Sequence, residues 1–141
     1  MRSSQAGPPR SGQRGFLHSL QPGRPSALER WHCHDEYELH LIADTRGWAF
    51  IGDHVGRFEP GHLVLTGPRL PHNWVSHNLP CEGVALRSQA LQFADAPLRK
   101  GMEVFKELQE AAPLLEKARH GVEFFGISDS VRGHFDRMQC T

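Results

Sequence analysis

Two segments decide how this chain is read: Trp31-His32-Cys33-His34-Asp35-Glu36-Tyr37-Glu38-Leu39-His40-Leu41-Ile42 and Gly61-His62-Leu63-Val64-Leu65-Thr66-Gly67-Pro68-Arg69-Leu70-Pro71-His72-Asn73-Trp74. Side chains alternate across an extended strand, so His32 and His34 point the same way. Glu38 and His40 keep that parity if the turn at 35–37 preserves it. His72 follows a Pro-bounded loop and has to arrive from a neighbouring strand. Inside a small β-barrel these residues form either a metal cage or a polar pocket.

Working outward, the strand signals continue at short intervals. Apolar or alternating runs at 38–43, 48–51, 55–58, 63–66, 72–76 and 82–87 are separated by turn chemistry at Asp44-Thr45-Arg46-Gly47, Gly52-Asp53-His54, Glu59-Pro60-Gly61, 67–71 and Asn78-Leu79-Pro80. Phe16–Leu20 reads as a first edge strand, 21–26 as loop and 27–34 as extended chain. Seven or eight short strands predict an antiparallel sandwich or barrel. From Asp95 the period changes: Leu98, Met102, Phe105 and Leu108 recur every three or four residues, predicting an amphipathic helix with Asp95 as N-cap. A second helix is predicted over 111–120, stopped by Gly121, and Ser128 or Asp129 opens a third through Val131, Phe135 and Met138. The expected organisation is a tail at 1–15, too poor in apolar residues to order itself, a β-barrel over 16–92, and an αα-hairpin within a helical segment over 93–141.

The 141 residues fit one domain, and 16 basic side chains balance 16 acidic ones. This balance leaves no electrostatic footprint for nucleic acid or membrane. No apolar run approaches the roughly 20 residues of a spanning helix, and the N-terminus has no apolar signal core, so a cytoplasmic protein is expected. Cys33, Cys81 and Cys140, widely spaced and odd in number, argue against a disulfide framework.

Three imidazoles and one carboxylate from His32, His34, Glu38 and His72 suit a borderline divalent ion such as Zn, Ni, Fe or Mn. Glu36 rivals Glu38 for the carboxylate role. His40 either lines a ligand pocket or is a satisfied core residue. Trp31, Trp48, Trp74 and Phe50 read as core aromatics, with Trp74 sharing the parity of His72 and so able to face a ligand. His54, His62, His77, His120 and His134 read as surface or turn residues. The competing account places the His-x-His pair on a solvent-facing strand beside ordinary surface charge.

The pattern His32-x-His34-x3-Glu38, then Pro60-Gly61, then Gly67-Pro68-x-Leu70-Pro71-His72, resembles the two cupin motifs. The wider wording, with Phe50-Ile51-Gly52-Asp53-His54 between them, resembles the N-terminal sensor domain of AraC-type transcription regulators from about residue 28 onward. The resemblance implies a cupin jelly-roll (double-stranded β-helix) barrel, with metal ligands His32, His34, Glu38 and His72. It also implies a dimerisation helix over 98–108. Thr45 and Arg69 stand where the motifs usually carry glycine. The family's basic helix-turn-helix part is not found here, so the sequence reads as a sensor fragment or a short stand-alone cupin.

Three functions follow as expectations. The first is a ligand-sensing and homodimerisation module, binding a small-molecule effector through His40, Glu36 and Trp74, with no nucleic acid or membrane contact of its own. The second is a metalloenzyme (oxygenase, isomerase or lyase) with Glu36 or His40 as general base. The third is a structural barrel with a hydrogen-bonded, empty cluster.

Overall fold

The structure, a computed structural model, describes residues 16–23 and 33–139. The expectations for the 1–15 tail, for extended chain over 27–32, and for Trp31 and His32 lie outside them. The strands are β1 (Phe16–Gly23), β2 (Tyr37–Ile42), β3 (Gly47–Ile51), β4 (His54–Phe58), β5 (Leu63–Thr66), β6 (His72–Ser76), β7 (Val84–Phe93) and β8 (Val122–Phe124). The helices are α1 (Asp95–Val104), α2 (Ala112–Lys117) and α3 (Ser128–Gln139), with 3-10 turns over Lys106–Ala111 and Ala118–His120. All pairing is antiparallel, in a five-stranded sheet ordered β1-β7-β2-β5-β8 and a three-stranded sheet ordered β4-β3-β6.

This corrects the expected closed barrel. Among the described residues no strand pair joins the two sheets. The loops at 43–46, 59–62, 67–71 and 77–83 carry the chain from one sheet to the other, so the sheets stay separate instead of bending into each other. The strand-rich body followed by helices is as expected.

Period-two alternation assigns each face of the large sheet its own neighbour. Ile42 and Val64 meet Ala49, Ile51, Phe58 and Trp74 of the small sheet in one buried cluster. On the opposite face, Tyr37, Leu65, Met102, Leu115 and Ala118 bury against α1 and α2, and Leu41 and Leu63 pack on Phe135 of α3. Because β5 is covered on both faces, Leu63-Val64-Leu65-Thr66 is a continuous buried run with no polar side.

Several expectations fail locally. Trp48 is 38% exposed and lies beneath the Arg57 guanidinium at 5.4 Å, so it is not a core residue. It sits on the outer face of the small sheet, beside Arg57 and Val75. The apolar stripe of the first helix is cut short: α1 ends at Val104, Phe105 is extended and 59% exposed, and Leu108 sits in the 3-10 turn. Leu98 and Met102 do pack inward. Asp95 is the first helical residue, and its carboxylate accepts from Tyr37 Oη at 2.8 Å and Arg99 Nε at 3.0 Å rather than capping the helix. Gly47 allows the close β3–β6 approach, since a Cβ there would lie 1.9 Å from the Val75 carbonyl oxygen.

Candidate metal centre

Glu38 and His40 occupy the β2 face that looks toward the small sheet, opposite Thr66 and Val64 of β5 and Gln92 and Ala90 of β7. His72 opens β6 in the other sheet, paired with Ile51. His34 precedes β2. The chain around it is tied to the loop before His72: Arg69 N donates to the His34 carbonyl at 2.6 Å, and Arg69 Nη1 reaches Asp35 Oδ1 at 2.9 Å. Arg69 holds φ +65°, a left-handed conformation unusual for a side-chain-bearing residue. That bend lays the loop against residues 33–35 and sets His72 beside His34.

The result is a three-residue cluster. His34 Nε2 lies 2.9 Å and His72 Nε2 3.4 Å from Glu38 Oε1. All three ligand atoms are within 4.8 Å of one another. With metal–ligand bonds of about 2.1 Å, neighbouring ligand atoms stand about 3.0 Å apart in octahedral and about 3.4 Å apart in tetrahedral coordination. The two edges to Glu38 match those spacings. The nitrogen–nitrogen edge, at most 4.8 Å, closes to the tetrahedral spacing with a shift of no more than about 1.4 Å and to the octahedral one with no more than about 1.8 Å.

Both rings are pre-set for coordination. His34 Nδ1 lies 3.1 Å from the Glu36 carbonyl oxygen and His72 Nδ1 lies 2.7 Å from that of Leu70. A carbonyl oxygen only accepts, so Nδ1 carries the proton in each ring and a neutral ring turns its Nε2 lone pair toward Glu38. Backbone carbonyls fix metal-binding histidines in this way. Gln92 Nε2 approaches Glu38 Oε1 at 3.4 Å. Two nitrogen lone pairs and a carboxylate converging on one buried point need a cation between them, either a proton or a metal.

The titration behaviour agrees. Burial opposes charge on His34, but the Glu38 hydrogen bond and charge, with Glu36, outweigh it and raise the ring above its usual 6.5. Burial likewise opposes ionisation of Glu38, yet hydrogen bonds from His34 and His72 and the nearby imidazoles hold it well below the usual carboxylate range. His40 goes the other way. Burial, joined by Arg87, His72 and His62 and opposed by Glu38, pushes it down to about 4.

His40 therefore sets an acid limit on the metal-free fold. The unfolded ring takes its proton near 6.5 and the folded ring near 4, so the unfolded state binds more protons between those values. Stability falls as pH drops through that window, by about 3 kcal/mol from His40. His62, also lowered by burial, adds the same sign. His34, being raised, contributes fully below 6.5 and leaves the window unchanged. Denaturant titrations near pH 7 and near pH 4 should show this loss, and His40→Gln should remove most of it.

A cavity of about 60 Å³ adjoins the cluster. Besides His34, Glu38 and His72 it is lined by Gln21, His40, Asn73, Trp74, Arg87 and Gln92. His40 and Trp74 stack at 3.8 Å, 15° from parallel. The structure thus brings together five of the seven proposed site residues: His34, Glu38, His72, His40 and Trp74. Glu36 stands behind His34, 3.6 Å from its Nδ1, and supports that ring instead of facing the cavity. His32 is outside the described residues.

One participant was misread as a surface residue. The His62 side chain is only 7% exposed. Its Nδ1 accepts from Trp74 Nε1 at 3.2 Å, and its Nε2 reaches Glu123 Oε2 of β8 at 3.4 Å. The sequence held one signal for this: His62 directly precedes the fully buried β5 run. His54, His77, His120 and His134 are exposed, as expected. The chain matches no family model and no curated protein. Among the described residues, no helix is long and apolar enough to cross a membrane.

Proposed function

We propose that this chain is a metal-binding sensor module of cupin type, the ligand-binding and dimerisation part of an AraC-type transcription regulator. The observation that carries the reading is the convergence of His34 Nε2, Glu38 Oε1 and His72 Nε2 within 4.8 Å, drawn from segments more than thirty residues apart. His34 and His72 would supply imidazole nitrogens and Glu38 a carboxylate oxygen. A bound divalent ion would supply a Lewis-acidic centre that holds a ligand in the adjoining cavity. Zn, Ni, Fe and Mn all accept this donor set.

Two features support the cupin part. Thr45 at φ +82° and Arg69 at φ +65° occupy the positions where the cupin motifs usually carry glycine, and such angles are those glycine adopts without strain. Strands from two antiparallel sheets meet around the cluster, and helices follow. Support for dimerisation comes from Val104, Phe105 and Leu108, which expose apolar surface at the end of α1 and just after it. The sensor reading is favoured over a metalloenzyme by the position of Glu36, one of the two candidate bases, which lies behind His34 and not in the cavity lining.

Metal analysis and calorimetry on tag-free protein test the proposal, with stoichiometric binding of one divalent ion expected. Proton and metal compete for the same point, so affinity should rise with pH through the raised His34 value and level off above it. Binding that does not change across this range, or no binding, would contradict the site.

A further inference from the structure

We infer that the His62 ring is a proton-operated switch: it gives up the Trp74 indole N–H when it takes a proton, and so unpins one wall of the cavity in acid. The residues involved lie outside the metal cluster, so the switch does not depend on the metal reading. Its basis is which ring atom is able to take the proton. An indole N–H only donates, so His62 Nδ1, 3.2 Å from Trp74 Nε1, carries a lone pair. The neutral ring then bears its hydrogen on Nε2, which faces Glu123 Oε2 at 3.4 Å. A second proton has one place to go, the Nδ1 lone pair that the indole already engages. His62 cannot be charged and bonded to Trp74 at the same time.

The surroundings confine the change to the side chain. The His62 amide donates to the Glu59 carbonyl at 3.0 Å, and its carbonyl accepts from Ile42 N at 2.9 Å, so the backbone is held on both sides. Among the described residues, the groups around the ring come from four elements. Phe58 of β4 is apolar, and Trp74 of β6 presents its N–H. Glu123 of β8 supplies the counter-charge for a protonated ring. His40 of β2, stacked on the Trp74 face, is the other titratable group that feels His62. Burial, opposed by the Glu123 charge, holds His62 below its usual 6.5, which puts the exchange on the acid side of neutral.

The exchange matters because Trp74 lines the cavity beside the cluster. With His62 neutral, the bond pins the indole at its N–H edge while its face stacks on His40. Once His62 is protonated, the buried indole N–H loses its acceptor, which is unfavourable where water does not reach. The imidazolium is drawn instead toward Glu123, in a charge-assisted bond stronger than the neutral one. Acid thus trades a bond that fixes the cavity wall for one that ties β8 to the loop at 59–62.

Proton–nitrogen NMR of the tryptophan indole N–H groups in the full chain tests the switch, with the Trp74 signal assigned by its absence in Trp74→Phe. On acidification this signal should move upfield, as a released N–H does, in one step below pH 6.5. The midpoint should match that of the His62 ring-proton signals. His62→Asn, whose amide oxygen accepts a hydrogen bond but does not titrate, should lose the step. Glu123→Gln should move the midpoint to lower pH, and His40→Gln should leave the step in place. A Trp74 signal that stays still while His62 titrates overturns the switch. So does a step that persists in His62→Asn or vanishes in His40→Gln, or a His62 ring that stays neutral until the protein unfolds. A midpoint unmoved in Glu123→Gln overturns Glu123 as the partner of the charged ring.

Discussion

His72→Ala should abolish divalent-metal binding while the protein stays folded. His72 is one of the three candidate ligands among the described residues, and it is the only one of them contributed by the small sheet. Loss of an outer-shell partner typically lowers metal affinity about 10–100-fold, and loss of this direct ligand should exceed that. The fold should survive because the ring borders an existing cavity, so truncation enlarges a space rather than opening one in tightly packed core. The stability loss should stay within the usual range of about 0.5–3 kcal/mol. Calorimetry with zinc and a denaturant titration of the metal-free variant separate the two effects. Wild-type zinc affinity in His72→Ala would remove this residue from the site.

The largest stability effect should come from Trp74→Ala. Trp74 is 3% exposed and packs with Ile42, Ala49, Ile51, Phe58 and Val64 between the two sheets. Large-to-small changes at buried aromatics cost about 3–5 kcal/mol, a large share of the 5–15 kcal/mol typical of a whole domain. The ring also caps His40 and donates to His62 Nδ1, so alanine removes a hydrogen-bond donor as well as volume. Trp74→Phe restores much of the volume without the N–H, and should recover most but not all of the loss. Denaturant unfolding of both variants measures this. A loss below about 1 kcal/mol in Trp74→Ala would mean the two sheets do not depend on this residue for their packing.

The sequence showed the elements more clearly than it showed their surroundings. Leu63–Thr66 and His72–Ser76 form strands at the predicted limits, and β3 and β4 begin one residue early. Their turns carry Gly, Pro, Asn and Asp in patterns that leave little choice. Strand β8 was missed because three residues after Gly121 carry too little periodicity; its pairing with β5 is what makes it a strand. Strand β7 runs on to Phe93, six residues past its predicted end, because β1 and β2 flank it on both sides.

Alternation correctly put Glu38 and His40 on one face and His72 with Trp74 on another. It does not say what covers a face. Trp48 was read as core although it lies half-exposed on the outer side of the small sheet, and His62 was read as surface although Trp74 and Glu123 flank its ring. The helical stripe failed at Phe105 because the backbone turns extended there, which side-chain spacing alone cannot reveal. The cluster itself was legible because His34, Glu38 and His72 are polar residues set beside otherwise apolar strands. The Arg69 bend that places His34 beside His72 was marked only by its place in the resembled motif, where glycine is usual, since nothing in an arginine itself announces a positive φ.

The central claim is that these three side chains share one metal ion. Anomalous diffraction at the zinc edge from crystals of the zinc-loaded, tag-free protein tests it directly. The account predicts a single strong peak at about 2.0–2.2 Å from His34 Nε2, a Glu38 carboxylate oxygen and His72 Nε2. A fully loaded crystal whose peak lies elsewhere, with Glu38 still bridging two imidazoles through protons, would contradict it.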